Sequence, residues 1–94
     1  MAERAAIVTG ASSGIGYAIA DMLGEEGYGL TVAARRPEKL DAAAQQLRDK
    51  GYDVQHIAGN LGDEGVIAQV VEEHRQRFGR LDVLVNNAGV GIGE

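Results

Sequence analysis

Cysteine is absent from the chain, which excludes both a disulfide framework and a thiolate nucleophile. Any redox chemistry must therefore come from a bound cofactor. A single proline and the lack of any low-complexity tract remove disorder as the default, and 45% apolar with 24% charged residues describe an ordinary soluble globular chain. Basic residues are outnumbered: nine Lys and Arg against fourteen Asp and Glu leave a net charge of −5, which argues against nucleic-acid or anionic-membrane binding. That balance does not fix the field in one crevice, so a local basic pair can still bind a phosphate. No apolar run approaches a membrane span, and the start Met1-Ala2-Glu3-Arg4 lacks the apolar segment of a signal peptide. A cytoplasmic location without a membrane partner is the expectation. His56 and His74, with Asp53 and Glu73 as their nearest carboxylates, make no recognisable metal set, so packing or surface roles are expected for both.

What the chain does contain is a strand, a glycine turn and a helix within residues 4–16. Ala5 to Val8 has the length and branched content of a buried strand and runs directly into Gly10-Ala11-Ser12-Ser13-Gly14-Ile15-Gly16. In such a cradle Gly10 lets the chain leave the strand tightly, Gly14 keeps side chains away from a pyrophosphate, and Gly16 lets the helix pack close to the sheet. The N–H groups of the helix's first turn then point at whatever anion sits above the turn. A glycine turn that merely joins strand to helix is the plain alternative.

The first helix is expected from about Gly14 to Glu26, with Ile15, Ala18, Ile19, Met22 and Leu23 on the face that meets a sheet and Gly27 ending it. Leu30 to Ala34 is nearly continuous in apolar residues, as a parallel strand covered on both faces would be. Pro37 opens a second helix through Leu40, Ala43, Ala44 and Leu47, which Gly51 ends. Tyr52 to Ala58 reads as a less apolar third strand, suited to a sheet edge. Val66, Ile67, Val70, Val71, His74 and Phe78 mark a third helix with a poorly specified start, since Gly62 is a weak cap and Gly65 sits where a capping box wants Glu. Gly79 ends that helix, and Leu81 to Asn86 is the fourth strand. The fold class is therefore α/β, a Rossmann-like doubly wound parallel sheet, βαβαβαβ, with strand order 3-2-1-4. This order opens a crevice between strands one and four, above Gly14 and beside Asn86-Asn87-Ala88-Gly89.

Thr9-Gly10-Ala11-Ser12-Ser13-Gly14-Ile15-Gly16, followed by Asn86-Asn87-Ala88-Gly89, resembles the amino-terminal part of the short-chain dehydrogenase/reductase family. The resemblance covers the whole chain with the elements in order. It implies the cofactor-binding half of an oxidoreductase that moves a hydride between a nicotinamide and a carbonyl or alcohol carbon. The family's catalytic Ser, Tyr and Lys lie further along than this chain extends, so no catalytic residue is assigned, and residues 1–94 are expected to be a Rossmann half-domain. The resemblance also implies that Asn60-Leu61 stands where relatives commonly place an acidic and an apolar residue against the adenine; Asn60 departs from the acid but its carbonyl oxygen can accept the same bond, and an Asn that caps its own turn is the plain alternative. It implies further that Asn86 holds neighbouring backbone while Asn87, Ala88 and Gly89 line the nucleotide crevice.

The end of the second strand points to the cofactor. An NAD site usually places Asp or Glu there for the ribose hydroxyls, and that acid would repel a 2′-phosphate. Here Ala34 is followed by Arg35-Arg36 with no acid until Glu38, so NADP is expected, with NAD the lesser alternative. Many NADP-preferring relatives carry Lys or Arg where this chain has Ser13, and that departure leaves the preference on the arginine pair. The plain alternative is two solvated charges flanking a helix start. Ser12 offers its hydroxyl to the pyrophosphate or to its own turn, and no base stands beside either serine to make a nucleophile. The expected cofactor set is thus Gly10, Ser12, Ser13, Gly14, Ile15, Gly16, Arg35, Arg36, Asn60, Leu61, Asn87, Ala88 and Gly89. A stand-alone nucleotide-binding or regulatory module, and one piece of a split enzyme completed in trans, are the other readings. An apolar fourth strand at a sheet edge predicts self-association, or pairing with a missing carboxy-terminal half.

Overall fold

The computed structural model describes residues 4–87. Seven elements alternate: β1 (Arg4–Thr9), α1 (Gly14–Glu25), β2 (Tyr28–Ala34), α2 (Pro37–Asp49), β3 (Val54–Ala58), α3 (Glu64–Phe78) and β4 (Val83–Asn86). All strands are parallel, in the order β3-β2-β1-β4. β1 pairs Ala6 to Thr9 with Val83 to Asn86 on one side and lies along β2 on the other. The two faces of the sheet carry separate cores. Ala6, Val8, Leu30, Val32, Ala34 and Val54 pack against Ala20, Leu23, Leu40, Ala44 and Leu47 from α1 and α2. On the opposite face Ile7, Ala33 and Ile57 meet Val70 of α3. β2 is buried from Gly29 to Ala34, as its continuous apolar run predicts, and β3 is outermost.

The face of α1 differs from the expected one. Gly16, Ala20, Leu23 and Gly24 are its buried residues, whereas Ile15 is 71% exposed, Met22 is 55% exposed and Ala18 is exposed too. Close approach is the physical reason. A Cβ at Gly16 would stand 2.0 Å from the Gly10 carbonyl oxygen, and one at Gly24 would stand 2.4 Å from the Tyr52 ring. Small residues at i, i+4 and i+8 thus select the seated side; of the expected face Leu23 is buried and Ile19 packs against the core, while Ile15, Ala18 and Met22 are turned away. α3 departs similarly, with Ile67 and Val71 exposed while Val70 and His74 are buried. Its start is also better specified than Gly62 and Gly65 imply. Asp63 is the cap, accepting the Gly65 N–H at 2.8 Å, an interaction that typically contributes about 1 kcal/mol.

Gly27, Gly51 and Gly79 follow the three helices with φ of 95°, 91° and 74°. Each uses the left-handed conformation in which a Cβ is disfavoured. β4 is seated at its entry by Asp82, whose N–H donates to the Ala5 carbonyl at 2.8 Å and whose Oδ2 accepts the Ala5 N–H at 2.8 Å. Arg80 forks onto the same carboxylate at 2.7 and 2.8 Å, and that pair and the Ala5 N–H hold the Asp82 carboxyl below its ordinary range.

A buried polar relay ties α3 to the sheet. The Arg80 carbonyl can only accept, so His74 Nε2, 2.9 Å away, carries the ring hydrogen. Nδ1 is then the acceptor for the Thr31 hydroxyl at 2.6 Å, and Gln55 Nε2 donates to Thr31 Oγ1 at 2.8 Å. No buried side-chain polar atom among the described residues lacks a partner. Burial pushes His74 below its ordinary value of 6.5, against an opposing pull from the Arg80 carbonyl.

The folded state therefore binds fewer protons than the unfolded one just below pH 6.5, so this contribution to stability is complete above that pH and lost as pH falls towards the folded value. Urea unfolding of the wild type should show a midpoint that declines from pH 6.5 downward. In His74→Gln the decline should begin only where carboxylates such as Asp82, with an ordinary value of 3.8, start to protonate. Parallel profiles in the two proteins would show that the relay does not titrate.

Candidate functional site

The turn after β1 is built by two left-handed glycines, Gly10 at φ 67° and Gly14 at φ 63°. Gly10 N–H donates to the Ala33 carbonyl at 2.8 Å, which folds the turn over the end of β2, and Ala11 is fully buried beneath it. Gly16 then lies against the Gly10 carbonyl so closely that no other residue fits there. Gly14 is the opposite case, since a Cβ built on it meets nothing within 4 Å. Open space above a glycine at a helix start is the shape a pyrophosphate cradle requires.

The start of α1 has no local answer to its own N–H groups. Ser13 occupies the N-cap with extended backbone and no side-chain cap bond, and no acid lies in the first turn. By contrast α2 has Glu38 and α3 has Asp63 and Glu64 at the corresponding place. The partial positive charge at the start of α1 therefore faces the open side of the turn. Ser12 is half-buried, while Ser13 and Ile15 are exposed on that side.

The end of β4 reaches this turn. Thr9 Oγ1 accepts the Asn87 N–H at 2.9 Å and stands 3.1 Å from Asn86 Oδ1, and Asn87 Nδ2 donates to the Gly10 carbonyl at 3.4 Å. The glycine turn and the Asn86-Asn87 segment are thus brought together, as their expected convergence required. Thr9 thus clasps β4 to the turn, a role that its place in the sequence motif does not reveal. Its signal was a hydroxyl at the last position of a strand that leads into the turn. Ala88 and Gly89 lie outside the described residues.

Arg35 and Arg36 are exposed and follow the buried Ala34 at the end of β2, next to the Ala33 carbonyl that holds Gly10. Among the described residues neither guanidinium makes an ion pair or hydrogen bond. The other arginines are engaged: Arg4 with Tyr28, Arg48 with His56, Arg75 with Glu72, Arg77 with Asp53 and Arg80 with Asp82. The free pair consequently concentrates positive charge at one corner of an acidic chain. Beyond β3, Asn60 Oδ1 accepts the Gly62 N–H at 2.9 Å in its own turn and keeps a second lone pair for another donor. Leu61 is half-buried and packs against the cluster of Ile7, Ala33, Ile57 and Val70, which anchors that loop to the α3 side of the sheet. His56, held between Arg48 and Asp41, and His74, in its relay, both have structural partners. No cluster of metal-ligating side chains occurs among the described residues.

Comparison with known proteins converges on one family. The family described as short chain dehydrogenase matches residues 4–94. The 3-oxoacyl-[acyl-carrier-protein] reductase FabG of Staphylococcus aureus is 44% identical over 88 residues, which is 93% of this chain and 36% of that protein. L-sorbose reductase from Gluconobacter frateurii, in complex with NADPH and L-sorbose, superimposes with a TM-score of 0.89 at 40% identity. That match covers 100% of this chain and 36% of the reductase, so the chain spans about a third of the length of the relatives it matches. A Burkholderia phymatum short chain dehydrogenase/reductase in complex with NAD, at 24% identity and a TM-score of 0.85 over 88% of this chain and 30% of that one, shares the fold. Sheet order, glycine turn and family match agree, and the chain belongs to the short chain dehydrogenase family of oxidoreductases.

Proposed function

We propose that this chain is the NADP-binding part of a short-chain oxidoreductase, and that the dinucleotide lies across the crevice between β1 and β4. The observation that carries this reading is the unpartnered Arg35-Arg36 pair at the end of β2, beside a glycine turn whose open side admits an anion. The pyrophosphate sits over Gly14 at the start of α1, where Ser12, Ser13 and Ile15 surround it and Gly10 and Gly16 keep the turn tight. One arginine clamps the 2′-phosphate through charge-assisted bonds, while the other lies over the adenine face. Asn60 and Leu61 bound the adenine, and Asn87, Ala88 and Gly89 form the ribose wall. When bound, the nicotinamide gives or takes the hydride exchanged with a carbonyl or alcohol carbon. This chain's own share of the work is to bind and orient the dinucleotide. The NADPH held by the L-sorbose reductase supports the phosphate reading, and the NAD held by the more distant relative makes the arginine pair its deciding feature.

Calorimetric titration should give tighter binding of NADP than of NAD. Arg35→Ala or Arg36→Ala should weaken NADP roughly ten- to hundredfold, about 1.5–3 kcal/mol, and affect NAD less. Equal or NAD-favouring affinities in the wild type would remove the reading. A second substitution locates the cradle. Gly14→Ala and Gly14→Val share the left-handed backbone cost of about 1–2 kcal/mol, but the branched side chain also fills the space above the helix start. Dinucleotide binding should be abolished in Gly14→Val while its circular-dichroism spectrum stays near that of Gly14→Ala. Wild-type affinity in a folded Gly14→Val protein would place the cradle elsewhere.

We also infer that β4 takes a further strand. β4 ends the sheet order, Leu84 is 62% exposed on the α3 side, and Ile67 and Val71 of α3 are exposed on that face. On the opposite face the exposed Ile15, Ala18 and Met22 leave α1 without a neighbour on one side. Apolar surface on both sides of an unpaired edge favours more chain of the kind that makes up the rest of the relatives, or a second copy when the 94-residue chain is alone. Sedimentation of the isolated chain should show association, and hydrogen exchange should show protected amides in residues 81–86. A monodisperse monomer with those amides open and β1 protected would count against it.

A further inference from the structure

His74 is the buried titratable side chain of the described residues, and none of its partners supplies a compensating charge. β2 presents the Thr31 hydroxyl and β3 the Gln55 amide, both neutral. On α3, the Phe78 ring centroid is 5.1 Å away, the Glu73 carboxylate bonds Gln69, and Arg77 pairs with Asp53. In the turn before β4, Arg80 and Asp82 pair with each other, and Arg4 of β1 adds positive charge near Asp82.

A proton on Nδ1 converts that atom from acceptor to donor. The Thr31 oxygen, already accepting from Gln55, must then accept from the ring as well, and the hydroxyl hydrogen loses its acceptor in a fully buried position. An unpaired cation in that surrounding is costly, so a charged ring favours states in which it leaves for water. Leaving breaks the Nε2–H bond to the Arg80 carbonyl. That carbonyl belongs to the turn which delivers Asp82 to Ala5 and thereby seats β4, and β4 in turn carries Asn86 and Asn87 to Thr9 and the glycine turn.

We propose that His74 couples protonation to the nucleotide crevice: taking up a proton loosens the seating of β4 and weakens dinucleotide binding, and a bound dinucleotide holds His74 neutral. The coupling rests on the reading of the β1–β4 crevice as the dinucleotide site and goes beyond it, because His74 lies at the other end of β4 from Asn86 and Asn87. Reciprocity makes the two halves of the statement one free energy.

NADP titrated by calorimetry between about pH 8 and pH 5, across the ordinary histidine range, tests the coupling in wild type and His74→Gln. The glutamine amide can donate to Arg80 and accept from Thr31 without titrating. The wild type should lose at least about fivefold more affinity than the variant on the acid side, at the lower end of usual couplings. The nucleotide's own phosphate titrates in both proteins and cancels in that comparison. On the wild type alone, the NMR titration of the His74 ring should move to lower pH when NADP is saturating, a result that also decides the matter should the variant fail to fold. Parallel affinity profiles, or a ring midpoint indifferent to NADP, would overturn the coupling and leave the crevice assignment standing. Absence of NADP binding at about pH 8 in wild type would overturn both.

Discussion

The seating of α1 on the turn that follows β1 is the contact on which the rest depends. With a Cβ at Gly16 only 2.0 Å from the Gly10 carbonyl oxygen, the helix and the turn approach to a distance that no side chain permits. That approach fixes where the helix begins relative to the sheet. The Asn87 side chain reaches the same carbonyl from β4, so one backbone atom joins the helix start, the turn and the far strand. The close contact continues along the helix, where Gly24 lies under the Tyr52 ring and Tyr52 donates to Asp21. Lys50 joins Asp21 at 2.8 Å, so α1 is tied to the α2–β3 connection at its far end. As an exposed pair it contributes more to alignment than to stability.

From this seat the proposed site draws on three strand ends. β1 supplies the glycine turn, β2 the arginine pair and β4 the asparagines. They lie on one side of the sheet because parallel strands place all their carboxyl ends there, and the 3-2-1-4 order reverses the crossover between β1 and β4. Charge is distributed with the same economy. Most basic side chains are committed to acids, carbonyls or rings on the outer surface, and the uncommitted Arg35-Arg36 pair follows the end of β2.

The edge of the sheet is unlike the rest. β3 ends the sheet with a half-polar strand in which Gln55 and His56 are bonded to α3 and α2, so its side chains are already satisfied. β4 ends it with an apolar strand whose Leu84 stands exposed. Such an asymmetry fits a sheet designed to continue on the β4 side, and the relatives are long enough to supply the continuation.

Much of this was legible in the linear order of residues. Strand and helix alternation, the parallel sheet with its order, the glycines that end the helices and the arginine pair after β2 all follow from local patterns, because each depends on neighbours a few positions away. The seated face of α1 did not. Periodicity ranks residues by hydrophobicity: it rightly included Leu23 and Ile19 but also chose Ile15, Ala18 and Met22, whereas close packing, legible beforehand only at Gly16, ranks residues by size and seats Ala20 and Gly24 as well. Asp63 as the cap of α3, Thr9 as the clasp for Asn87 and His74 as a neutral link between Thr31 and Arg80 were likewise decided only in three dimensions. The sequence by itself determined which elements form and in what order they stack. Which atoms touch was left to tertiary structure, since a contact's strength depends on distances between segments that the linear chain does not specify.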